Sequence, residues 1–414
     1  MSRWPLTVRG TGAALLAFAS FVGAHAFKIT ELLYVSVLLT VVLVASVATL
    51  YLVRRTEKVA RSFDPDIAGV GDEVGVRLRV QIRSPLPSAQ GRWSDALPVG
   101  VEGDAAGVFP QTGSGMWTGS RAVTLDYAVR VHRRGIRQIG PVSVVSTDPF
   151  GFARRRHSIG RALSLTVTPA IVDLSPLAEL PGEAGGSMHS ATDQLGEGSD
   201  NLVPRHYIPG DSMRRIHWRA SAHRDELMVR QEEQETTPEA TVVLDRARAR
   251  WHAEADRAPG ADPGFETAVS ACVSVAARLV HEGYTVGVLD VDGTPLIEPI
   301  DAGDVAGVER LAIDLATVTA RREGAPEALV ALFSGTTSGP LVYITGAMTE
   351  ADAAALAPLA HHSSLPIVLA VAPQGAALVH AAESGWRTAQ IPPASDLAAA
   401  WSLVADRGAR RVRI

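Results

Sequence analysis

The chain is predicted to be multidomain, with an N-terminal transmembrane helical hairpin, an antiparallel β-sandwich and then an α/β domain. Three observations predict this. Leu32–Val53 carries no charged residue over 22 positions. Residues 74–82 and 123–131 alternate apolar and mostly polar side chains at period two. Beyond residue 238, apolar runs of strand length alternate with helical stretches, the pattern of a helix-covered parallel sheet. At 414 residues the chain is too long for one ordinary domain and fits two soluble ones plus an anchor. The boundaries read as 1–58 for the hairpin, 59–170 for the sandwich, 171–237 for a connector and 238–414 for the α/β domain.

As a helix, Leu32–Val53 reaches ~33 Å and spans a hydrocarbon core of about 30 Å. Thr11–Phe27 is shorter, at 17 residues, and contains His25 and two glycines. Two readings are open for it. Ala24-His25-Ala26 behind Arg3 and Arg9 resembles a signal-peptidase site, whereas an uncleaved first span is favoured because a second follows within a few residues. Arg54, Arg55, Lys58 and Arg61 follow the second span, and the positive-inside rule holds that end in the cytoplasm. The expectation is a multi-pass plasma-membrane protein in contact with the lipid bilayer, its soluble domains cytoplasmic.

A net charge of −5 argues against nucleic acid as the main partner, because no basic excess replaces counterions on phosphate. The single cysteine, Cys272, forms no internal disulfide and reads as a buried thiol in an alanine- and valine-rich helix.

In the sandwich region Val74, Val76, Leu78, Val80 and Ile82 form one half-buried strand, and Val123, Leu125, Tyr127, Val129 and Val131 another. Ile139–Val145 and Ser164–Thr168 fit shorter strands, with turns at Gly135, Gly140-Pro141 and Asp148-Pro149-Phe150-Gly151. Gly91–Ser120 reads as long loops. Arg154, Arg155, Arg156 and His157 read as a solvated strand end, with contact to anionic lipid near the anchor as the sharper alternative.

Residues 171–198 gather Pro176, Pro181, Gly182, Gly185 and Gly186 and read as a linker, with a short helical turn over Leu174–Leu180. The densest chemistry follows: Asp200, Arg205, Tyr207, Pro209-Gly210-Asp211, Arg214, Ile216, Trp218, Arg219, Ala220-Ser221-Ala222, Leu227, Val229 and Arg230. Pro209-Gly210 makes a turn and Asp211 can cap the turn Ser212–Arg215. Ile216 and Trp218 can bury while Arg214, Arg215, His217 and Arg219 surround them. The acids and arginines suit an internal ion network, and the same surface could recognise a partner. His206, His217 and His223 match no usual zinc spacing, and Asp211 with a histidine would be an acid–base pair without a nucleophile turn. Glu232, Glu233 and Glu235 read as a solvated end that could face a basic partner.

These residues resemble the signature of the bacterial family called domain of unknown function 58. The resemblance covers essentially the whole chain, including Arg133-Arg134-Gly135 through the Asp148–Gly151 turn. It implies two membrane helices, a β-sandwich-like region, the signature and a von Willebrand factor type A-like domain, working beside an AAA+ ATPase of the MoxR type. It implies no particular reaction.

Strands are expected at Ala240–Asp245, Thr285–Asp290, Leu341–Thr345 and Pro366–Ala372, and helices at Phe265–Glu282, Asp304–Thr319, Glu350–Ala360 and Ser395–Arg407. Asp292-Gly293 reads as a hairpin turn giving one antiparallel edge strand. This order resembles the von Willebrand type A fold, whose metal site implies an aspartate followed by serines at the second and fourth positions beyond it. Here Asp245 is followed by Ala247 and Ala249, so two oxygen ligands are missing and no metal or cofactor is expected. Asp245 is then expected to cap or to pair with Arg246 or Arg248. No Walker-type loop occurs. The expected function is a membrane-anchored scaffold or adaptor without catalysis of its own. The alternative is a metal-dependent phosphoester hydrolase using Asp245, Asp290 and Asp292 at the sheet's carboxyl edge.

Overall fold

The computed structural model describes residues 4–51, 56–83, 90–111, 121–177, 202–207, 213, 216–224, 226–232, 238–321, 327–333 and 338–406. The chain divides into two compact units: Met1–Ala170 with Leu315–Val318, and Ile171–Asp314 with Thr319–Ile414.

The first unit begins with α1 (Val8–Phe27) and α2 (Thr30–Tyr51), both long and apolar enough to cross a membrane. The helix α1 starts three residues before the run expected from the sequence because Thr7 caps it, its hydroxyl accepting from the Gly10 N–H at 3.1 Å. Its buried positions include Ala17, Ser20 and Ala24, and those of α2 include Ser36 and Ser46. The large apolar side chains Leu15, Phe18, Leu38 and Val44 are exposed instead.

Eleven strands follow among the described residues: β1 (Thr56–Asp64), β2 (Ile67–Gly69), β3 (Glu73–Arg83), β4 (Gly91–Asp95), β5 (Val101–Gly103), β6 (Ala106–Phe109), β7 (Arg121–Val131), β8 (Gly135–Ile139), β9 (Val142–Thr147), β10 (Arg154–Ile159) and β11 (Leu163–Thr168). They form antiparallel sheets β1-β3-β7-β5 and β10-β9-β4-β6, and a small sheet β2-β11-β8. Alternation on β3 sends Val74 and Val76 into a core with Ile139 and Leu165, and Leu78 and Val80 into a core with Trp93, Val142 and Val144.

Several expectations are corrected here. Gly91–Asp95, Val101–Gly103 and Ala106–Phe109 are strands rather than loops, because Trp93, Val101 and Phe109 each supply a buried anchor. Ile139–Val145 is not continuous; it breaks at Gly140-Pro141 into β8 and β9. The boundary at 58/59 falls inside β1. Arg61 is not a surface charge flanking the membrane. It makes a bidentate pair with Asp95 at 2.8 and 2.7 Å and donates to the Ile139 carbonyl at 2.6 Å, and Tyr127 donates its hydroxyl to the same Asp95. Burial first, then that carboxylate, push the Tyr127 phenol up. The basic cluster is β10 itself, where Arg155 and His157 are half-buried. His157 pairs with Glu57 at 2.9 Å.

In the second unit, the described part of the expected Leu174–Leu180 turn, up to residue 177, is not helical, and the remainder lies outside the described residues. Residues 171–177 carry no regular secondary structure and are tied down, Val172 N–H to Ser274 Oγ at 2.9 Å and the Ser175 carbonyl accepting from Trp401 Nε1 at 2.7 Å. The signature supplies β12 (Leu202–His206), α3 (Trp218–Arg224) and β13 (Met228–Glu232). Then come β14 (Glu239–Leu244), α4 (Pro263–His281), β15 (Thr285–Asp290), α5 (Val305–Leu315), α6 (Glu327–Phe333), β16 (Ser338–Met348), α7 (Glu350–Ala360), β17 (Ser363–Pro373), α8 (Ala377–Glu383), β18 (Arg387–Gln390) and α9 (Leu397–Ala405). The sheet is parallel throughout, in the order β15-β14-β16-β17-β18.

After Asp292-Gly293, with Gly293 at φ 82, the chain returns along β15 through antiparallel bridges Val286–Ile300 and Leu289–Pro295. The elements α6, α8 and β18 were not expected; each is seven residues or fewer, too short for periodicity to mark. Cys272 is buried in α4, and burial pushes its thiol up to about 12.

Candidate functional site

Two groups of residues stand out in the second unit: the carboxyl edge of the parallel sheet and the signature hairpin. At the edge, Asp245 follows the last residue of β14 and is only 1 % exposed. Its carboxylate accepts from the Ala247 N–H at 2.9 Å, the Tyr343 hydroxyl at 2.9 Å and the Thr345 hydroxyl at 3.0 Å. The cation beside it is Arg250, at 3.5 Å, and not the expected Arg246 or Arg248. Those two arginines turn elsewhere, Arg246 to Asp290 and Arg248 to Asp256.

Arg250 gives its shortest bonds to Asp352, at 2.5 and 2.7 Å. Burial raises the Asp352 carboxyl, yet the bonds from Arg250 and from the Thr349 N–H and hydroxyl outweigh it and hold the group below its ordinary range. Asp245 receives less of that charge, so burial wins and its carboxyl is pushed up. Tyr343, wholly buried against Asp245, is pushed far above the usual phenol range, by burial first and that carboxylate second.

The serine positions are Ala247, which is buried, and Ala249, which is exposed. Near the end of β16, past Thr345, the chain carries Gly346. A side chain there would begin 2.1 Å from the Arg250 carbonyl oxygen, so glycine is required for the close approach of the Arg248–Arg250 turn. Backbone and a guanidinium therefore fill the space beside Asp245.

The other two acids are also engaged. Asp290, fully buried, accepts from the Val291 N–H at 2.7 Å and has Arg321 Nε at 3.0 Å and Arg246 Nη1 at 3.3 Å. Burial leads, and its carboxyl is pushed up. Asp292 accepts from the Thr294 hydroxyl at 2.6 Å and pairs with Arg321, and these bonds, Thr294's first, lower it to about 2. Among the described residues no three of His, Cys, Asp and Glu come together as a group that could hold a metal ion.

On the signature, β12 and β13 form an antiparallel pair with Arg205 opposite Val229 and Pro204 opposite Arg230. Tyr207 N–H donates to the Leu227 carbonyl and His217 N–H to the Met228 carbonyl, both at 2.8 Å. The Ser221 hydroxyl accepts from Met228 N–H at 2.8 Å, locking α3 onto β13. Ile216, Met228 and Val229 are buried beneath. Trp218 is not buried with Ile216 as expected: it is 67 % exposed, and Met213 and Leu227 are exposed too. His206 pairs with Glu226 at 2.9 Å on the surface. Arg219 lies in α3. Asp200, Pro209, Gly210, Asp211 and Arg214 lie outside the described residues.

Residues 204–338 match the family described as "Protein of unknown function DUF58". That match contains β13, the edge residues Asp245–Arg321 and most of the signature. The uncharacterized protein YeaD of Bacillus subtilis (strain 168) is similar to this chain, 26 % identical over 299 residues that make up 70 % of this chain and 69 % of its own. Among solved structures, the CARDB domain of PF1109 from Pyrococcus furiosus is 8 % identical, covering 27 % of this chain and 94 % of its own, with a TM-score of 0.17. The alkylpurine DNA glycosylase AlkC of Pseudomonas fluorescens, bound to DNA, is 15 % identical, covering 27 % of this chain and 30 % of its own at 0.18. Scores this low carry no argument about fold or function.

Arg250, Arg321, Tyr343, Thr345 and Asp352 were missed as partners of the edge acids. Only Asp352 had a local signal: Thr349 and Asp352 have the spacing of a capping box, which the structure forms at the start of α7.

Proposed function

We propose that the chain is a membrane-anchored scaffold or adaptor, its soluble units facing the cytoplasm, that presents the DUF58-matched surface to a partner protein. By the resemblance of the signature, that partner is a MoxR-type AAA+ ATPase. Trp218 carries the reading: a large aromatic held 67 % exposed on a helix that is itself fixed by buried Ile216, Met228 and Val229. Tryptophan is among the side chains enriched at the energetic centres of protein interfaces.

Three further features support the account. Small buried residues and large exposed apolar ones on α1 and α2 suit helices packed in lipid, where tails are as apolar as leucine. The strand order β15-β14-β16-β17-β18, with its antiparallel return after Gly293, supports a von Willebrand type A-like reading of the second unit, and the facing sheets of the first support a β-sandwich. The edge acids are bonded to arginine, tyrosine and threonine from the same chain, which favours a structural over a hydrolytic role.

Binding of a purified MoxR-type ATPase to the reconstituted full chain tests this. Trp218→Ala is expected to weaken binding roughly thirtyfold, and equal retention by a folded variant overturns the docking surface. Tight Mg²⁺ or Mn²⁺ binding that disappears in Asp245→Ala would favour the hydrolase instead.

A further inference from the structure

The segment ahead of α1 is stitched to the Asp148–Gly151 turn. Arg154 N–H donates to the Pro5 carbonyl at 2.7 Å, Thr7 N–H to the Phe152 carbonyl at 2.9 Å, and the Thr7 hydroxyl to the Gly151 carbonyl at 2.6 Å. Asp148 turns its carboxylate inward onto the N–H groups of Phe150 and Ala153, so the loop presents no acid of its own outward. Beside this seam lies a cavity of about 570 Å³, whose lining includes Trp4, Arg9, Thr11, Thr147 and Arg154. Arg9 lies close to the turn: its Nη1 is 3.9 Å from where a side chain on Gly151 would begin. Among the described residues neither the Arg9 nor the Arg154 guanidinium has a hydrogen-bond or ion-pair partner. Two guanidiniums that line one cavity without a protein partner among the described residues favour an anion there.

The position of the cavity says which anion. Arg155, the next residue of β10, donates to the Leu50 carbonyl at 2.8 Å and lies over the Tyr51 ring, so β10 meets the end of α2 as well as the start of α1. Trp4 and Phe150 are more than half exposed at the same level, with Phe150 stacked on Phe152. Aromatic rings and arginines at the ends of two apolar helices mark the depth of lipid headgroups.

We infer that this cavity binds the phosphodiester of an anionic phospholipid. Arg9 and Arg154 hold the phosphate, Thr147 adds a neutral donor, and Trp4 and Phe150 lie in the interfacial layer beside it. The inference rests on α1 and α2 being the membrane anchor. The bound lipid then splints the N-terminal segment to the Asp148–Gly151 turn and thereby ties the sheet to the anchor.

The test uses the full chain in membranes and in nanodiscs of phosphatidylcholine with or without phosphatidylglycerol. Native mass spectrometry counts the lipids retained. Preferential retention of phosphatidylglycerol is expected, falling roughly thirtyfold in Arg9→Ala/Arg154→Ala and staying mostly intact in Arg9→Lys/Arg154→Lys. Both side chains are exposed, and thermal unfolding checks that the variants fold; Arg154→Glu alone serves as a second variant that should also lose the preference. Equal retention by folded wild type and variants overturns the inference, as does displacement of phosphatidylglycerol by inorganic phosphate, which would mark a free-phosphate site. Release of the chain from membranes by alkaline carbonate overturns the anchor as well, whereas an integral chain without lipid preference overturns this inference alone.

Discussion

The carboxyl edge of the parallel sheet and the signature hairpin lie in the same unit and use their side chains in opposite ways. At the edge, Asp245, Asp290, Asp292 and Asp352 are each answered by arginine, hydroxyl or backbone N–H from the same chain. On the hairpin, the fold buries Ile216, Met228 and Val229 and leaves its largest apolar side chain, Trp218, in water. A buried charge must find a partner or lose its ionisation, so the edge is closed upon itself. An exposed aromatic costs little to a fold whose neighbouring residues are already buried, so Trp218 can stay in solvent. Residues that look catalytic by type are here bonded to neighbours from the same chain, and the apolar residue expected in the core is the one turned outward.

The comparison breaks first at Arg250. Arg250→Ala leaves Asp245 buried beside no cation and Asp352 without its bidentate partner, and is expected to cost about 3–5 kcal/mol in urea unfolding of the full chain. A loss near zero would mean that the edge is not closed by that guanidinium.

Trp218→Ala probes the opposite side. Stability should change by less than about 0.5 kcal/mol, while ATPase binding weakens by about 2 kcal/mol or more, roughly thirtyfold. Binding kinetics beside thermal unfolding separate the two effects, and a stability loss without a binding loss would reverse the assignment.

A pH series sharpens the account of the edge. Burial raises the Asp245 carboxyl above its ordinary 3.8, so its contribution to stability is full below that value and is lost as pH rises through the raised one. In Asp245→Asn this decline should vanish, whatever the absolute stability. Asp292 is opposite in sign: lowered to about 2, it contributes stability above 3.8 that disappears as pH falls toward 2. Asp292→Asn should flatten that acid limb, and an unchanged limb would show that the Thr294 and Arg321 bonds do not form in solution.

The smallest effect is expected at Arg77, whose pair with Asp126 is exposed on both sides. Arg77→Ala should alter stability by less than about 1 kcal/mol, because solvent screens such pairs, and it serves as the control for Arg250→Ala.

How much could be read in advance depended on the range of the interaction. Alternation over Val74–Ile82 and Val123–Val131 marked two central strands because a pleated ribbon sends neighbours to opposite faces whatever its partners. The short strands β4, β5 and β6 had no such run, and they exist because Trp93, Val101 and Phe109 find apolar surface contributed from elsewhere. Asp245 was legible as a strand-end acid, and its missing serines were legible too. Its true partners, Tyr343 and Thr345, lie about a hundred residues away, and nothing local distinguishes Arg250 from Arg246 or Arg248.

The sequence by itself determined the two apolar helices, the alternating strands, the β/α rhythm of the second half and the absence of serines after Asp245, because each is a property of neighbours along the chain. Only the tertiary structure decided that Arg61 and Asp95 meet inside the first unit, that Arg250 lies between Asp245 and Asp352, and that Trp218 faces solvent. Those outcomes depend on which distant surfaces close over a side chain, and burial, which sets both its charge state and its availability, is created only when they do.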